Sequence, residues 1–271
     1  MTIKLIALDI DDTLLSSQGK ILPSTLTAIK ACLERGFKIV LCTGRPLAGV
    51  KPYLNELGVA GPEQYVVTYN GAVIESITGQ VVAKQLIDNA GYRTLTAFAA
   101  AHDIPFNVLD ENSQIYTANH DVDFITAVQA VENEAGLYIR QPDELPADFA
   151  IAKGLFVGTQ DLLDGVEDAV RAAFGDDYSV IRAGRYFLEA MAKGVDKGQG
   201  LKALGETIGI TPDEMMGFGD EGNDLAMFST VGLAVCMGNG SELAKAHADY
   251  ITDTNDNDGI SKAIEKFVLK A

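Results

Sequence analysis

The sequence predicts an α/β protein whose core is a doubly wound parallel sheet, interrupted by a region of α+β character. Short apolar runs such as 3–8 and 38–42 alternate with helical patterns at both ends of the chain, as expected of strands that are buried on both faces. Between about 84 and 188, short strands follow one another closely, a pattern typical of antiparallel pairing. The 271 residues are enough for two units of moderate size.

The first part of the core is assigned to residues 1–83. Its predicted elements are a strand at 3–8, a helix from Pro23 to Gly36, a strand at 38–42, a helix at 47–57, a strand at 65–69 and a hairpin around Thr78-Gly79. Strands and helices alternate here as they do at the start of a doubly wound, Rossmann-like sheet. Ligands bind beyond the carboxyl ends of the strands in such sheets, so functional side chains are expected there.

The inserted region is assigned to residues 84–188. Helical patterns are predicted at 92–102, 122–134 and 162–174, and strands at 106–109, 114–118, 151–157, 178–182 and 186–189. The last two strands surround Ala183-Gly184, which indicates a hairpin. This mixture differs from both flanks, and we therefore expect a second domain inserted into the first.

The parallel pattern returns in residues 189–271, the second part of the core. A helix is predicted after Lys193–Gly198, followed by strands at 215–219, 232–235 and 250–251. Lys197 lies near the start of that helix, where the helix dipole disfavours a cation. An anion bound at this position would explain the lysine, although a single solvated lysine is the commoner case.

Composition and charge restrict the class of partner. The net charge of −17 disfavours nucleic acid and anionic membranes. No apolar run reaches membrane-spanning length, and the chain enters its first strand directly after Met1–Lys4, so we expect neither a transmembrane segment nor a signal peptide. Cys32, Cys42 and Cys236 lie far apart in apolar patterns, which predicts buried reduced thiols and a cytoplasmic protein. The histidines show no spacing typical of zinc ligands.

Two formal motif matches are rejected. Gly217–Gly222 fits the pattern G-x-G-x-x-G, but two carboxylates inside the loop would face the pyrophosphate of a dinucleotide. The stretch Asp253–Gly259 resembles a calcium loop, but its glycine comes one residue late and Ile264 occupies the position of the bidentate glutamate.

Carboxylates and a hydroxyl are expected to meet at one edge of the sheet. Asp9 and Asp11 follow the first strand and, in an extended chain, point to the same side. Two close carboxylates repel each other unless one is protonated or both face a cation. Thr43 follows the second strand, and Asp220 and Asp224 follow a later one. A hard cation such as Mg²⁺ takes oxygen ligands of this kind, and together with Lys197 it would let an acidic protein bind an anionic substrate.

In this arrangement the chain resembles the haloacid dehalogenase superfamily of phosphatases, specifically its Cof-type (IIB) sugar-phosphatase branch. The resemblance rests on Asp9-Ile10-Asp11-Asp12-Thr13, Thr43-Gly44-Arg45-Pro46, Lys197, Gly219-Asp220-Glu221-Gly222-Asn223-Asp224, Thr68-Tyr69-Asn70-Gly71-Ala72 and Asp258-Gly259-Ile260. It covers essentially the whole chain, with residues 84–188 in the position of the cap domain. One departure is Asp12, which occupies a position where this branch usually has glycine.

The resemblance implies a role for each group. Asp9 is implied as the nucleophile that forms an aspartyl-phosphate, and Asp11 as the general acid and base. Mg²⁺ is implied as the cofactor, with Asp9, Asp11 through its carbonyl, Asp220 and Glu221 as ligands. The phosphoryl oxygens would contact Ile10, Thr43, Gly44, Lys197 and Asn223. Asp224 is expected either to orient the metal ligands or to be purely structural.

The expected function is Mg²⁺-dependent hydrolysis of small phosphorylated metabolites such as sugar phosphates. A phosphomutase is the nearest alternative, because a related branch with a similar cap returns the phosphoryl group to the sugar. A phospho-accepting signalling domain also places aspartates, a threonine and a lysine around Mg²⁺, but it is about half as long and would not explain the insert. The physiological substrate and the oligomeric state are left open by the sequence.

Overall fold

The structure, a computed structural model, describes residues 2–270, which divide into two compact units. The first unit comprises the chain up to Gly44, Val50–Ala83 and the chain from Asp196 onward. The second comprises Arg45–Gly49 and Lys84–Val195. The predicted fold class is confirmed, because a mainly parallel sheet with flanking helices forms one unit and a mixed α+β arrangement forms the other.

The first unit is built on an eight-stranded sheet with the strand order β14-β13-β12-β1-β2-β3-β4-β5. Its strands are β1 (Leu5–Leu8), β2 (Lys38–Cys42), β3 (Tyr65–Thr68), β4 (Val73–Ser76), β5 (Val81–Lys84), β12 (Met215–Gly219), β13 (Leu233–Cys236) and β14 (Tyr250–Ile251). The pairs from β14 to β3 are parallel and β4 is antiparallel to β3. Since β1 lies between β2 and β12, the chain order reverses at β1, and this is where ligands bind in such sheets.

The helices of the first unit are α1 (Pro23–Glu34), α2 (Leu47–Leu57, which enters this unit at Val50), α6 (Lys197–Ile208), α7 (Leu225–Phe228), α8 (Glu242–Ala246) and α9 (Gly259–Ile264). Helix α1 has Pro23 in its first turn, where a missing amide hydrogen costs nothing, and it ends before Gly36 with a φ of 84°. The apolar side chains of β1, β2, β12 and α6 form the core of this unit, for example Leu5, Val40, Leu201 and Met215.

The second unit contains a six-stranded sheet with the strand order β10-β11-β9-β6-β7-β8. Its strands are β6 (Phe106–Leu109), β7 (Ile115–Thr117), β8 (Leu137–Ile139), β9 (Lys153–Val157), β10 (Tyr178–Ala183) and β11 (Phe187–Ala192), and its helices are α3 (Asn89–Ala101), α4 (Phe124–Glu132) and α5 (Gln160–Phe174). Side chains from α3, α5 and the sheet form its core, which is rich in aromatic rings such as Phe106, Phe156 and Phe174.

Some details of the predicted elements are wrong. Strand β8 was not predicted, because Leu137–Ile139 is only three residues long and its parallel pairing with β7 depends on a distant segment. Strand β11 continues to Ala192, beyond the predicted end at residue 189, because it pairs with both β9 and β10. The second unit runs to Val195. It also includes Arg45–Gly49, where the Ala48 amide donates to Ser113 Oγ.

Two expectations about cysteines and membranes can be compared with the described residues. Cys32, Cys42 and Cys236 are buried free thiols, as predicted. None of the helices within residues 2–270 combines the length and the apolar character needed to cross a membrane.

A buried ion pair in the second unit leads to a prediction about stability. Lys153 Nζ lies 2.5 Å from Glu189 Oε1, and both side chains are about 95% buried. Lys153→Met leaves the Glu189 carboxylate buried without its lysine, so we expect a loss of about 3–5 kcal/mol in the free energy of unfolding. The double variant Lys153→Met/Glu189→Leu should recover most of that loss, because no buried charge is left. Urea denaturation of the three proteins measures both effects.

The matched control is the exposed pair Lys84–Glu111 in the same unit, whose charged atoms lie 2.7 Å apart. Lys84→Met should cost less than about 1 kcal/mol, because water screens both charges. Equal losses for Lys153→Met and Lys84→Met would contradict the assignment of the buried pair.

Candidate active site

Three neighbouring strands deliver polar side chains to one edge of the first sheet. Leu8 at the end of β1 pairs with Phe218 of β12 and with Leu41 of β2. Asp9 and Asp220 therefore follow strands that lie side by side, and Thr43 follows the third. All three side chains are buried. This juxtaposition was predicted from the sequence, and it follows from the parallel register.

Lys197 forms the centre of the cluster at this edge. Its Nζ donates to Asp9 Oδ1 and to Asp224 Oδ1, each at 2.6 Å, and the side chain is fully buried. Burial alone would lower the pKa of Lys197, but Asp224 and Asp9 raise it more, so the net shift is upward and the ammonium form is retained. The sequence predicted an anion beside Lys197, and in the structure the carboxylates of Asp9 and Asp224 lie there.

Asp224 folds back beneath the turn that begins at Asp220. Its Oδ2 accepts from the backbone amides of Asp220 and Glu221 at 2.9 and 3.1 Å, while its Oδ1 accepts from Lys197. Gly219 makes this possible, since a Cβ at that position would lie 2.4 Å from Asp224 Cγ. Both oxygens of Asp224 are therefore used in fixing the turn and the lysine.

Asp220 lies at the start of that turn, and a residue of the loop after β1 orients its side chain. Thr13 Oγ1 donates to Asp220 Oδ1 at 2.8 Å. Burial raises the pKa of Asp220 to about 7, Asp224 adds to the increase, and the hydrogen bond from Thr13 opposes it. Asp220 thus lies in a pocket of negative charge that Lys197 only partly balances.

Asp9 shows the same excess of negative charge. Burial raises the pKa of Asp9 well above its usual range, Lys197 opposes that shift, and the nearby charges of Asp224, Asp220 and Asp11 add to it. A cation bound among these carboxylates would favour their ionised forms.

The donor set fits a hard divalent cation such as Mg²⁺. Carboxylate oxygens of Asp9, Asp220 and Asp224 lie within 4.8 Å of one another. Asp9 and Asp220 each use one oxygen, toward Lys197 and Thr13, and the other oxygen of each accepts no hydrogen bond from residues 2–270. Both oxygens of Asp224 already accept hydrogen bonds, so Asp9 and Asp220 are the side chains best placed to bind the ion.

The structure does not bring Glu221 into this cluster. The carboxylates grouped within the described part of the chain are those of Asp9, Asp220 and Asp224. The side chain of Glu221 is exposed, and its Oε2 accepts from the amide of Gly222 at 3.1 Å. The expectation of Glu221 as a metal ligand is therefore not supported, because its carboxylate faces the amide of Gly222 in the same turn.

Asp11 and Asp12 occupy an exposed loop directly after Asp9. Asp11 lies close enough for its charge to raise the pKa of Asp9. Asp12 has a φ of 56° and a ψ of 5°, in the left-handed region that suits glycine. Aspartate is one of the few residues other than glycine that adopt this conformation readily, so Asp12 is compatible with the turn.

A second group of polar residues surrounds the end of β2. The Thr43 carbonyl accepts from the Asn70 amide at 2.8 Å, and Asn223 Nδ2 donates to Asn70 Oδ1 at 3.4 Å. The Asn70 side chain also packs on Gly44, where a Cβ would lie 3.2 Å from Asn70 Nδ2. Asn70 thus connects Thr43 and Gly44 with Asn223. Ile10, the remaining predicted phosphate contact, is buried in the loop after β1.

Sequence reasoning assigned no role to Thr13 or Asn70. Thr13 belongs to the first acidic motif, and its position four residues after Asp9 was the available signal. Asn70 lies in a turn where Tyr69 and Asn70 have φ values of 50° and 55°, followed by Gly71 at 102°. The dipeptide Asn70-Gly71 is typical of a turn. The contact of Asn70 with Asn223, however, depends on a segment 153 residues away.

A family model for haloacid dehalogenase-like hydrolases matches residues 6–264, which include every element of this site. The chain belongs to that family. The predicted enzyme class, a phosphatase, is confirmed with it, and a single-domain phospho-accepting signalling module is left without support.

Relatives of this haloacid dehalogenase-like hydrolase agree with that assignment. A protein of Bacillus subtilis (strain 168) named "Putative phosphatase YxeH" is 33% identical over 269 residues, which cover 98% of both chains. The crystal structure of a haloacid dehalogenase-like hydrolase from Bacteroides thetaiotaomicron has a TM-score of 0.86 and 32% identity, covering 98% of this chain and 99% of the other. The subclass IIB sugar phosphatase BT4131 has a TM-score of 0.83 and 27% identity, covering 97% and 98%.

The close approach of Gly219 and Asp224 gives a prediction for the site. Gly219→Ala forces the Asp224 carboxylate out of its position, so we expect the free energy of unfolding to fall by about 1–3 kcal/mol, as in other overpacked cores. Gly222→Ala is the matched control, because nothing lies within 4 Å of the added Cβ in the same turn. Urea denaturation compares the two variants with the parent protein, and equal midpoints for all three would contradict the role given to Gly219.

Proposed function

We propose that this protein hydrolyses small phosphate monoesters, with sugar phosphates as the substrate class, in a Mg²⁺-dependent reaction through an aspartyl-phosphate on Asp9. The observation that supports it best is the buried contact of Lys197 with Asp9, beside the free oxygens of Asp9 and Asp220. The IIB sugar phosphatase among the relatives supports the substrate class. The buried free thiols support a cytoplasmic location.

In the proposed first step, a carboxylate oxygen of Asp9 forms a bond to phosphorus while the bond from phosphorus to the alcohol oxygen breaks. Asp11, exposed beside Asp9, gives a proton to the departing oxygen. In the second step Asp11 accepts a proton from water as the water attacks phosphorus, and the bond to Asp9 breaks to release phosphate.

The remaining residues bind and orient the phosphoryl group. We assign its oxygens to Thr43, to the amides of Ile10 and Gly44, and to Lys197 and Asn223. When bound to Asp9, Asp220 and the carbonyl of Asp11, Mg²⁺ supplies positive charge that keeps the carboxylates ionised and offsets the charge of the phosphoryl oxygens. Asp224 acts through others, since its oxygens fix Lys197 and the turn that presents Asp220.

We further propose that the second unit determines which phosphate ester is used. The groups assigned to phosphate and metal belong to the first unit, and they contact parts common to every monoester. Discrimination among leaving groups then requires other side chains, and the insert is the large segment of the chain left without a role.

The reaction itself is tested with p-nitrophenyl phosphate and a panel of hexose phosphates in the presence of Mg²⁺. Repeated release of inorganic phosphate supports the hydrolase. A single stoichiometric burst contradicts it, and conversion of one sugar phosphate into an isomer without release of phosphate supports the phosphomutase alternative.

Asp9 and Asp11 are separated by substitution. Asp9→Asn should abolish turnover and formation of a phosphorylated protein in acid-quenched samples, because an amide is no nucleophile. Asp11→Asn should lower kcat by roughly 10²–10⁴-fold, the range for a lost general acid and base. Asp12→Asn is the matched control, since it also removes one exposed carboxylate and asparagine tolerates the same φ. Near-normal turnover by Asp9→Asn would exclude the covalent mechanism.

Metal dependence is tested by removal and by substitution. Chelation with EDTA should abolish activity, and Mg²⁺ should restore it. Asp220→Asn should raise the Mg²⁺ concentration needed for half-maximal activity, since it removes a charged ligand. Glu221→Gln should leave that concentration unchanged, because the structure turns Glu221 toward Gly222. An unchanged Mg²⁺ requirement in Asp220→Asn would contradict its assignment as a ligand.

A further inference from the structure

Helix α4 of the second unit turns a polar side inward and an apolar side outward. Thr126, Gln129 and Asn133, which directly follows the last residue of the helix, are buried, and their spacing of three and four residues places them on one side. Phe124 and Val131 lie on the opposite side and are 78% and 79% exposed. A surface helix ordinarily buries its apolar side. The hydrophobic effect therefore does not explain how α4 is oriented.

Asn107 of β6 extends the buried polar side of this helix. Its neighbours Phe106 and Val108 point into the aromatic core with α3 and α5, so Asn107 points to the other face of the sheet. There its Nδ2 donates to Thr126 Oγ1 at 2.9 Å. Gln129 follows about one helical turn after Thr126. The buried polar groups of β6 and α4 therefore adjoin one another.

Three buried amides in this group each have a polar atom without a hydrogen-bond partner. These atoms are Asn107 Oδ1, Gln129 Oε1 and Asn133 Oδ1, and we call the three side chains the amide row. Within residues 2–270, the only other buried side-chain polar atom of this kind is Gln64 Oε1. A buried polar atom that is left unpaired destabilises the folded protein. Three of them side by side indicate a ligand that pairs with them.

One end of the amide row contacts the segment that follows Thr43 in the chain. A Cβ on Gly49 would lie 2.6 Å from Asn133 Oδ1, so only glycine leaves room for this oxygen. Gly49 belongs to the second unit, like Asn133, and it lies in the first turn of α2, six residues after Thr43. The row is thus connected to the part of the chain that continues directly from a residue assigned to phosphate.

The chemistry of the row favours hydroxyl groups as its ligand. An amide presents its oxygen or, after half a turn, its nitrogen, and a hydroxyl group pairs with either because it both donates and accepts. An ammonium group would pair with the oxygens alone. The row carries no charge, and Lys153 and Glu189 on the same face of the sheet form an ion pair with each other. A neutral group with several hydroxyls therefore fits the row better than an ion does.

We propose that the amide row binds hydroxyl groups in the sugar part of the substrate. The inference rests on the proposed function, because it assigns the row to the leaving group of the phosphate ester. It also names the side chains through which the second unit distinguishes one ester from another. A site built to pair with a hydroxyl rejects an analogue that lacks it, since the amide is then buried without a partner.

The first test compares two substrates. The leaving group of p-nitrophenyl phosphate has no hydroxyl substituent, whereas a hexose phosphate has several. Gln129→Met removes the amide and keeps the length of the side chain. It should lower kcat/KM by about tenfold or more for the hexose phosphate that the parent protein hydrolyses best, and by less than about twofold for p-nitrophenyl phosphate. Asn107→Leu should show the same selectivity.

Deoxy analogues of that hexose phosphate test the hydrogen bond itself. The parent protein should discriminate against at least one analogue by about tenfold or more. Gln129→Met should discriminate against the same analogue much less, because the variant has no partner for the hydroxyl that the analogue lacks.

The matched control is Gln160→Met, since Gln160 is exposed at the start of α5, on the other face of the sheet. It should leave the ratio of the two activities unchanged. Urea denaturation adds a readout that does not depend on activity. Gln129→Met should keep or raise the midpoint of the parent protein, because an apolar chain replaces a buried unpaired amide. A lower midpoint would mean that the folded protein pairs this amide by itself, and it would overturn the inference.

The outcomes distinguish the amide row from the proposed function. Equal losses with both substrates, no loss with either, or equal discrimination against every deoxy analogue in parent and variant overturn the row while the phosphatase stands. A parent protein that hydrolyses p-nitrophenyl phosphate but no hexose phosphate overturns the row and the sugar substrate, and hydrolysis stands. A parent protein that hydrolyses neither overturns the proposed function itself.

Discussion

The buried ion pairs of Lys197 are the contact on which the rest of the site depends. A fully buried ammonium group is unfavourable unless charged partners surround it, and Asp9 and Asp224 do so at 2.6 Å each. These three residues come from the end of β1, the start of α6 and the turn after β12. Removing Lys197 would leave two buried carboxylates without their cation, and removing either aspartate would take one charged partner from the buried ammonium group. The three segments are therefore held in a single arrangement.

That arrangement is possible only where backbones approach closely. Helix α6 begins beside the turn after β3, where a Cβ on Gly71 would lie 2.1 Å from the Asp196 carbonyl. On the other side, a Cβ on Gly198 would lie 2.3 Å from the Ala226 carbonyl. Gly219 leaves room for Asp224 in the same way. Small residues at these positions place the ammonium group of Lys197 deep in the unit, and larger ones would move it away from Asp9.

The same geometry explains why a cation fits the site and why its three carboxylates have different roles. Three buried carboxylates face one lysine. Burial raises the pKa values of Asp9 and Asp220, and the charges of the neighbouring carboxylates add to the increase. Both oxygens of Asp224 accept hydrogen bonds that fix Lys197 and the turn after β12. Asp9 and Asp220, by contrast, each have one oxygen that accepts no hydrogen bond from residues 2–270. The loop after β1 is attached to both sets of residues, through Thr13 to Asp220 and through Asn239 and Asn255 to the carboxyl-terminal part of the unit.

By itself, the sequence determined what depends on local pattern. Apolar runs ending in carboxylates located β1 and β12, Pro23 and Gly36 bounded α1, and the spacing of four motifs identified the family and the residues that meet at the sheet edge. The tertiary structure decided what depends on contacts between distant segments. It showed that Glu221 turns away while Asp224 pairs with Lys197, that Asn70 connects Thr43 with Asn223, and that the short strand β8 forms beside β7. Hydrophobic periodicity and turn propensity act over a few residues, whereas Lys197 and Asp9 are 188 residues apart and meet only after the sheet has formed.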